Sequence, residues 1–337
     1  MPANRRTMLR LMLTASAAAS LGPVLVHAAD AFPTQPVRIV TWAGPGGAFD
    51  TLARLLADNL AKRWDVPVTV ENRQGAGGIV ATQMVAKAPA DGSTILITTN
   101  SAQILNALLK PDLSFDPKRD FIPLSKLADG QTTLVVAQNS PYATLADFLA
   151  AARARPEGLT YSSFAVGSAS HLMGEQLQRE SGATLVHVPY AGGEMAALND
   201  LIGGRLDSAF MSEGTALTQA QAGKVRALAI TGPGRTAMSP DVPTFAEQGF
   251  DTLDLSGWIG TFVPAGTPPE VVDTLSRAIQ DVIHSESANQ RMLALGFAPV
   301  GDSAQAFAKA FAQDYQRWED MVAATSRPYG LTAACSI

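Results

Sequence analysis

The residues best suited to binding chemistry begin with a glycine-rich turn, Gly44-Pro45-Gly46-Gly47. An apolar segment, 37–40, precedes this turn, and leucines at helical spacing follow it over 52–60. The pattern predicts a strand, a turn and a helix. Such a turn exposes backbone N–H groups at the positive end of the helix dipole, and glycine permits a close approach to the backbone. The turn is a candidate seat for a carboxylate or phosphate, although many α/β proteins carry one for structural reasons alone.

Two acidic residues are candidate ligand contacts. Asp50 lies at the start of the helix after the turn, where it either caps the helix or meets an amino or hydroxyl group of a ligand. Asp207 follows Arg205-Leu206 and is either a ligand contact or a structural residue at the edge of a strand.

A second turn, Ser163 to Ser170, lies between a predicted strand, 159–162, and a predicted helix, 171–180. Ser168 and Ser170 either cap this helix or, together with free N–H groups, bind a second carboxylate. A nucleophilic role for Ser168 with His171 fits less well. The two residues are three positions apart on one helix start and no third orienting group is evident, whereas a triad needs its base aimed at its nucleophile.

Three strand-loop-helix units in succession, with strands at 37–40, 68–70 and 94–98, predict a parallel sheet with helices on both faces. Ligands bind at the carboxyl ends of the strands in such sheets. We therefore expect the loops at 43–50, 72–78 and 99–101 to share one edge.

A second series of units follows. We expect further strands at 124–127, 133–137, 159–162, 185–189, 206–210 and 225–230, with a helix at 145–154. The Pro- and Gly-rich stretch 232–252 reads as a connection. A late strand, 256–263, and helices at 269–284 and 304–324 complete the chain, and we expect this last part to return to the first domain.

Composition excludes several classes of protein. The chain has 337 residues, 47% hydrophobic and 16% charged, which is typical of a globular protein. Residues 1–29 have the basic start and apolar run of a signal peptide, of the Sec or the twin-arginine type, which predicts export to the periplasm. Without them Lys+Arg falls from 25 to 22 and Asp+Glu stays at 30, so the net charge is about −8, which disfavours nucleic acid as a partner. The sole cysteine, Cys335, leaves no internal disulfide.

No pattern for a cofactor or metal is evident. Gly75-Ala76-Gly77-Gly78 follows a predicted strand but lacks the spacing of a dinucleotide fingerprint. His171, His187 and His284 show no metal-ligand spacing, and we expect His187 to be a strand residue with satisfied hydrogen bonds. We expect neither a cofactor nor a metal.

Short motifs between Pro36 and Trp318 resemble those of one family. They are Pro45-Gly46-Gly47 with Asp50 and Ala53-Arg54, Val70 to Arg73 with Gly75 to Gly78, Asp91 to Thr94, Phe115 to Pro117 with Asp120-Phe121, Gly167 to Leu172, His187 to Tyr190, Asp241 to Thr244 with Glu247, and Trp258 with Pro264 to Pro268. In this order and spacing they are similar to the periplasmic substrate-binding receptors of tripartite tricarboxylate transporters, the Bug receptors.

The resemblance implies an α/β, two-domain periplasmic binding protein (flytrap) fold. Each domain would be a mixed sheet flanked by helices, with two crossover strands at the hinge. We expect domain 1 at 33–130 plus 255–337 and domain 2 at 131–254. The resemblance also implies a monomer that holds a small organic acid, a mono-, di- or tricarboxylate, through backbone amides and waters, and hands it to a membrane permease.

The predicted ligand contacts come from loops on both sides of the cleft. They are Gly46, Gly47, Ala48, Phe49, Asp50, Thr99, Asn100, Ser101, Ser163, Gly167, Ser168, Ser170, His171, Tyr190 and Asp207. Two positions depart from the family pattern: Phe49, where a small residue or Thr is common, and Ala165, where Gly is common, with Phe164 before it. Phe49 or Phe164 narrows the pocket or stacks on an aromatic acid; alternatively, both rings pack inward.

Two other functions stay open from the sequence. The same binding fold could serve a sensor that contacts a membrane kinase instead of a permease. A periplasmic hydrolase could act at the same cleft through Ser168 and His171.

Overall fold

The computed structural model describes residues 32–110, 112–190 and 194–329. The predicted signal peptide, 1–29, and Cys335 lie outside the described residues. No helix in the described part of the chain is both long and apolar enough to cross a bilayer.

The first sheet has six strands in the order β11-β4-β10-β3-β1-β2. Their bounds are β1 Val37–Thr41, β2 Val68–Asn72, β3 Thr94–Thr99, β4 Phe121–Gly130, β10 Gly257–Pro264 and β11 Ala298–Pro299. Strand β1 pairs in parallel with β2 and β3, as the three successive units predict. The late strand β10 runs antiparallel between β3 and β4, so the sheet is mixed and the chain does return to its first part.

The second sheet has five strands in the order β7-β6-β8-β5-β9. Their bounds are β5 Thr132–Ala137, β6 Leu159–Ser163, β7 Leu185–Pro189, β8 Ser208–Ser212 and β9 Val225–Ile230. Strand β6 pairs in parallel with β7 and β8, whereas β5 is antiparallel to β8 and β9. The strand predicted at 206–210 begins two residues later, because Leu206 packs in a core cluster and Asp207 bonds to Thr160 before the ladder starts.

Helices cover both faces of the two sheets. They are α1 Ala48–Trp64, α2 Ile79–Ala86, α3 Asn106–Leu109, α4 Leu145–Ala154, α5 Ala169–Ser181, α6 Glu194–Ile202, α7 Glu213–Gln221, α8 Pro269–His284, α9 Glu286–Ala294 and α10 Ala304–Tyr329. Residues Ser101–Leu105 form one turn of π-helix ahead of α3. Helix α9 and strand β11 were not predicted from the sequence, and α10 extends five residues beyond the predicted 304–324.

The C-terminal helix α10 joins the two halves of the molecule. Its Phe307 and Phe311 pack against Trp258 and Phe262 of β10, with ring centroids 5.2–6.1 Å apart. The same buried cluster continues to Phe210 of the second sheet. One apolar cluster therefore extends across both sheets, and two further clusters lie apart from it.

Two chain crossings connect the sheets. One residue, Gln131, separates β4 from β5, and the second crossing enters β10 at Gly257. A Cβ on Gly257 would lie 2.7 Å from the Gly130 carbonyl oxygen, so the crossings lie side by side and need glycine for their close approach. The connection at 232–252 carries two short 3₁₀ turns, 246–248 and 251–253.

Candidate functional site

The glycine-rich turn leads into α1 as predicted. Gly46 has a φ of +85°, a conformation that favours glycine. Gly47 is the N-cap residue, and no side chain caps the helix. Helix geometry leaves the N–H groups of Ala48 and Phe49 without intrahelical acceptors, and Gly46, Gly47 and Ala48 are exposed. Exposed amides at the helix N-terminus are what an anion seat requires.

The Asp50 side chain holds this turn in place through hydrogen bonds. Its carboxylate accepts hydrogen bonds from the Gly46 N–H at 2.9 Å, from Arg54 Nε and Nη2 at 2.9 and 3.1 Å, and from Asn72 Nδ2 at 2.7 Å. Because Gly46 precedes the N-cap, Asp50 closes the turn and does not cap the helix. Its side chain is 2% exposed, and all four bonds go to protein groups.

The ionisation of Asp50 follows from these bonds. Burial alone would raise the pKa of Asp50, but the hydrogen bonds from Arg54, Asn72 and the Gly46 amide outweigh burial and hold the pKa below its ordinary value of 3.8. Asp50 is therefore a fixed anion at neutral pH, turned toward the protein.

The Phe49 ring packs on Trp42. The two ring centroids are 5.5 Å apart at 37°, and Phe49 is half-buried against the core. Trp42 lies beside Gly78, whose absent Cβ would come within 3.3 Å of the indole. The indole Nε1 is buried without a hydrogen-bond partner among the described residues. Phe164, on the second turn, is also half-buried.

The third predicted loop follows β3 at the same edge of the sheet. Thr99 Oγ1 accepts from the Ala102 N–H at 3.4 Å, and the π-helical turn begins at Ser101. Asn100 is buried, and its Nδ2 has no partner among the described residues. Because β1 and β3 are parallel neighbours, this loop and the glycine-rich turn leave the sheet side by side.

The second turn is cross-linked by its own serines. Ser168 is the N-cap of α5 and its Oγ accepts from the His171 N–H at 3.3 Å, as the capping interpretation predicts. The same Oγ donates to the Ala165 carbonyl at 2.7 Å and accepts from the Ala165 N–H at 3.3 Å. Ser170 Oγ accepts from the Phe164 N–H at 3.1 Å.

The hydrolase hypothesis gains no support from this geometry. The His171 ring accepts the Gly167 N–H at Nδ1, 3.1 Å away, and bonds to Ser168 only through its backbone. Burial lowers the pKa of His171 to about 4. Ser168 and His171 are not a nucleophile and base aimed at each other.

The second turn lies close to the end of α3, a helix from the first half of the chain. Gly167 has a φ of +75°, and a Cβ there would lie 3.1 Å from Leu109 Cδ1. Leu109 is the last residue of α3. The serine turn therefore lies beside the C-terminal end of the helical stretch that follows Thr99, Asn100 and Ser101.

Tyr190 and Asp207 have structural partners. The Tyr190 N–H donates to the Ser163 carbonyl at 2.9 Å, which places Tyr190 beside the second turn, but its hydroxyl donates to Asp200. Burial, and then that carboxylate, raise the pKa of Tyr190 to about 12. Asp207 accepts from the Thr160 N–H and hydroxyl at 2.8 and 2.7 Å. It precedes β8, so it lies at the amino end of that strand, away from the turn at the carboxyl end of the parallel β6. The structure does not bring Asp207 to the other predicted contacts.

Several residues around the turns were not chosen from the sequence as contacts. Arg54 and Asn72 stood in recognised motifs, but only the fold shows that both meet Asp50. Trp42 directly follows β1, and a position at the carboxyl end of a strand could have marked it as a candidate contact. Within the described ranges, no three His, Cys, Asp or Glu side chains come together as candidate metal ligands.

Two mixed sheets flanked by helices and joined by two adjacent crossings are the architecture of an α/β two-domain periplasmic binding protein, of the flytrap type. A family model described as the tripartite tricarboxylate transporter family receptor matches residues 52–326. The chain belongs to this family of periplasmic solute-binding receptors, as its motifs predicted.

Individual relatives agree. The chain is 32% identical over 308 residues to Protein BugT of Bordetella pertussis, covering 91% of this chain and 94% of the relative. Its fold matches R. palustris Rpa4515 with adipate at 32% identity and a TM-score of 0.76, over 88% of this chain and 98% of the other. It matches MatC (Rpa3494) from Rhodopseudomonas palustris with bound malate at 30% identity and a TM-score of 0.73, over 86% and 100%.

Proposed function

We propose that this protein captures a small carboxylate in the cleft between its two domains and delivers it to the membrane permease of a tripartite tricarboxylate-type transporter. The observation that carries the proposal is the exposed glycine-rich turn before α1, where Gly47 is the N-cap and no side chain caps the helix. This turn offers the N–H groups of Ala48 and Phe49 at a helix N-terminus, and such groups favour a carboxylate.

The domain boundaries are part of the proposal. Domain 1 takes residues 33–130 plus 255–337 and domain 2 takes 131–254. The separate sheets and the two adjacent crossings support this division. Binding closes the hinge when the closed form offers the cargo contacts that the open form lacks, since a ligand shifts an equilibrium only by its differential affinity. The receptor performs no catalysis on its cargo.

The two relatives whose structures hold adipate and malate suggest the first cargoes to test. Both acids carry two carboxylates, and the chain has two candidate seats. The half-buried Phe49 on Trp42 leaves an aromatic acid as the alternative cargo.

A thermal-shift screen of residues 30–337 against mono-, di-, tri- and aromatic carboxylates tests the proposal. A ligand that binds only the folded state adds about 2.7 kcal/mol at a hundredfold excess over Kd, so one class of acid should raise the melting temperature. The protein is first unfolded and refolded to remove cargo carried through purification. A flat screen after refolding would contradict the carboxylate assignment.

A charge variant tests whether the cargo binds at the first turn. Ala48→Asp puts a carboxylate on an exposed position beside the predicted seat. An acidic residue there favours the helix, so the cargo-free protein should be at least as stable while the shift with the cargo disappears. Ala48→Asn has nearly the same shape without the charge and should keep binding. If Ala48→Asp bound as tightly as the wild type, the α1 seat would be wrong.

Delivery is tested in cells after the cargo is known. Deleting the gene should abolish uptake of that acid. A strain that kept full uptake but lost a transcriptional response to the acid would favour the sensor.

A further inference from the structure

A cluster of three buried side chains and the half-buried His187 lies behind the second turn, and His171 is its one member among the predicted ligand contacts. Tyr161 of β6, His187 of β7 and Glu175 of α5 pack together with His171. The rings of His171 and His187 are stacked, with centroids 3.9 Å apart at 22°, and the ring of His187 lies 5.2 Å from that of Tyr161. Gly174 makes room for the cluster, since a Cβ there would lie 2.1 Å from the Tyr161 ring.

The two histidines hold the two ends of one short loop. His187 Nε2 is 2.6 Å from Ser163 Oγ, just before the loop 164–167. His171 Nδ1 accepts the N–H of Gly167, its last residue, at 3.1 Å. The stacked rings therefore connect the two ends of the loop.

One of these bonds requires an unprotonated ring nitrogen. The Nδ1 of His171 must be unprotonated to accept the Gly167 N–H. Burial lowers the pKa of His171 to about 4, and burial together with the neighbouring His171 charge lowers the pKa of His187 to about 3. Glu175, 3.8 Å from His171 Nε2, accepts from the Tyr161 hydroxyl at 3.0 Å, and burial raises the pKa of Glu175. Both imidazoles are therefore neutral at pH 7, and the cluster serves as a support.

The loop that the histidines support has almost no free amide. Phe164 N–H bonds to Ser170, Ala165 N–H to Ser168, Gly167 N–H to His171 and Ser168 N–H to the Ala165 carbonyl. Among the described residues, only Val166 in the stretch 164–168 keeps an N–H without a hydrogen-bond partner. Val166 is 47% exposed.

We infer that His171 and His187 are positioning residues that fix the loop 164–167, so that the Val166 N–H is the loop donor left for the cargo. The inference rests on the proposed function, because it assigns a cargo contact. Neither histidine touches the cargo; His171 acts through the Gly167 backbone and His187 through the Ser163 side chain.

Matched substitutions separate the hydrogen bonds from the ring stacking. His171→Asn keeps an acceptor near the Nδ1 position, whereas His171→Phe keeps a ring and loses the acceptor. His187→Gln keeps a polar nitrogen or oxygen near the Nε2 position, whereas His187→Phe keeps only the ring. A merely structural role for the rings predicts that both Phe variants behave like the wild type.

The first readout is amide exchange at Gly167 in the cargo-free protein, measured by NMR. Loss of one hydrogen bond corresponds to about a tenfold change, so exchange should rise about tenfold in His171→Phe and stay near the wild-type rate in His171→Asn. The Val166 amide should exchange fast in all of them. Unchanged Gly167 exchange in a folded His171→Phe protein would overturn the positioning role. If that variant does not fold, His171→Leu, which also lacks the acceptor, is compared with His171→Asn.

The second readout is cargo affinity, using the acid found by the screen. Affinity should fall about tenfold in the Phe variants and recover in His171→Asn and His187→Gln, and the Val166 amide resonance should shift when the cargo is added. Affinity unchanged in the Phe variants, or a Val166 resonance that does not move, would overturn the assignment. If the wild type binds no acid, the proposed function fails and the cargo assignment with it, while the Gly167 exchange still decides whether the histidines hold the loop.

Discussion

Replacing Asp50 by Asn tests how the first turn is held. The buried carboxylate accepts four hydrogen bonds, from the Gly46 N–H, twice from Arg54, and from Asn72. Asparagine has almost the same shape, but it keeps one acceptor oxygen and presents an NH₂ group where the second oxygen was. Two of the four donors then lose their acceptor and face another donor.

The magnitude follows from those two bonds. A hydrogen bond to a charged group contributes about 1.5–3 kcal/mol. The Arg54 side chain is 49% exposed and regains water, so the lower end of that range applies. We expect a loss of about 3 kcal/mol in the free energy of unfolding, or about 5 °C in melting temperature for a chain of this size.

The assay is denaturant unfolding of residues 30–337 at pH 7, with Asp58→Asn as the control. Asp58 lies on the same helix and is exposed, so its variant should stay within about 0.5 kcal/mol of the wild type. Equal stability of Asp50→Asn and Asp58→Asn would refute the reasoning.

The pH dependence of the stability of Asp50→Asn relative to the wild type gives a second check. Because the folded pKa of Asp50 lies below its ordinary 3.8, its contribution is complete above pH 3.8 and is lost as the pH falls through the lower folded value. The difference between wild type and Asp50→Asn should therefore shrink below about pH 4.

Three further substitutions test the packing. Gly214→Ala adds a Cβ 2.4 Å from the Gly296 Cα, so denaturant unfolding should show a loss of about 1–3 kcal/mol in the free energy of unfolding, whereas alanine normally stabilises a helix by about 1 kcal/mol relative to glycine. The control is Gly234→Ala, whose new Cβ has no atom within 4 Å. A Gly214→Ala protein more stable than the wild type would contradict the contact. Phe307→Ala removes a fully buried ring between Trp258 and Phe262 and should cost about 3–5 kcal/mol, which a calorimetric melting temperature within 1–2 °C of the wild type would disprove. Thr144→Ala removes the capping box of α4, in which Thr144 and Asp147 bond to each other's backbone N–H, and should cost about 1 kcal/mol, while Thr218→Ala, at an exposed helical bond to Gly214, should change unfolding by less than half of that.

Local patterns predicted the elements that local forces decide. The three strand-loop-helix units and the bounds of α4 and α8 follow from apolar periodicity and turn residues, and these are properties of neighbouring residues. Helix α9 was not identified because it follows α8 with only Ser285 between them. Strand β11 has two residues, too few for a periodic signal.

The candidate site also has features that the sequence predicted and features that it did not. The two amide-rich turns were visible as glycine and serine clusters, because the residue types that permit such turns are few. The partners of Asp50, Tyr190 and Asp207 were not visible. Asp207 bonds to Thr160, 47 residues away, and a pairing over that distance depends on which strands become neighbours.

The sequence by itself determined the family, most of the helices and strands in their order, and the glycine-rich and serine-rich turns, since each depends on residues within one or two turns of chain. Only the tertiary structure decided that Asp50 serves the fold, that Gly167 meets Leu109, and that His171 and His187 stack behind the second turn. The physical reason is that side chains on separate strands meet only after sheet register and helix packing place them within hydrogen-bond or van der Waals distance, and a linear sequence does not specify those distances.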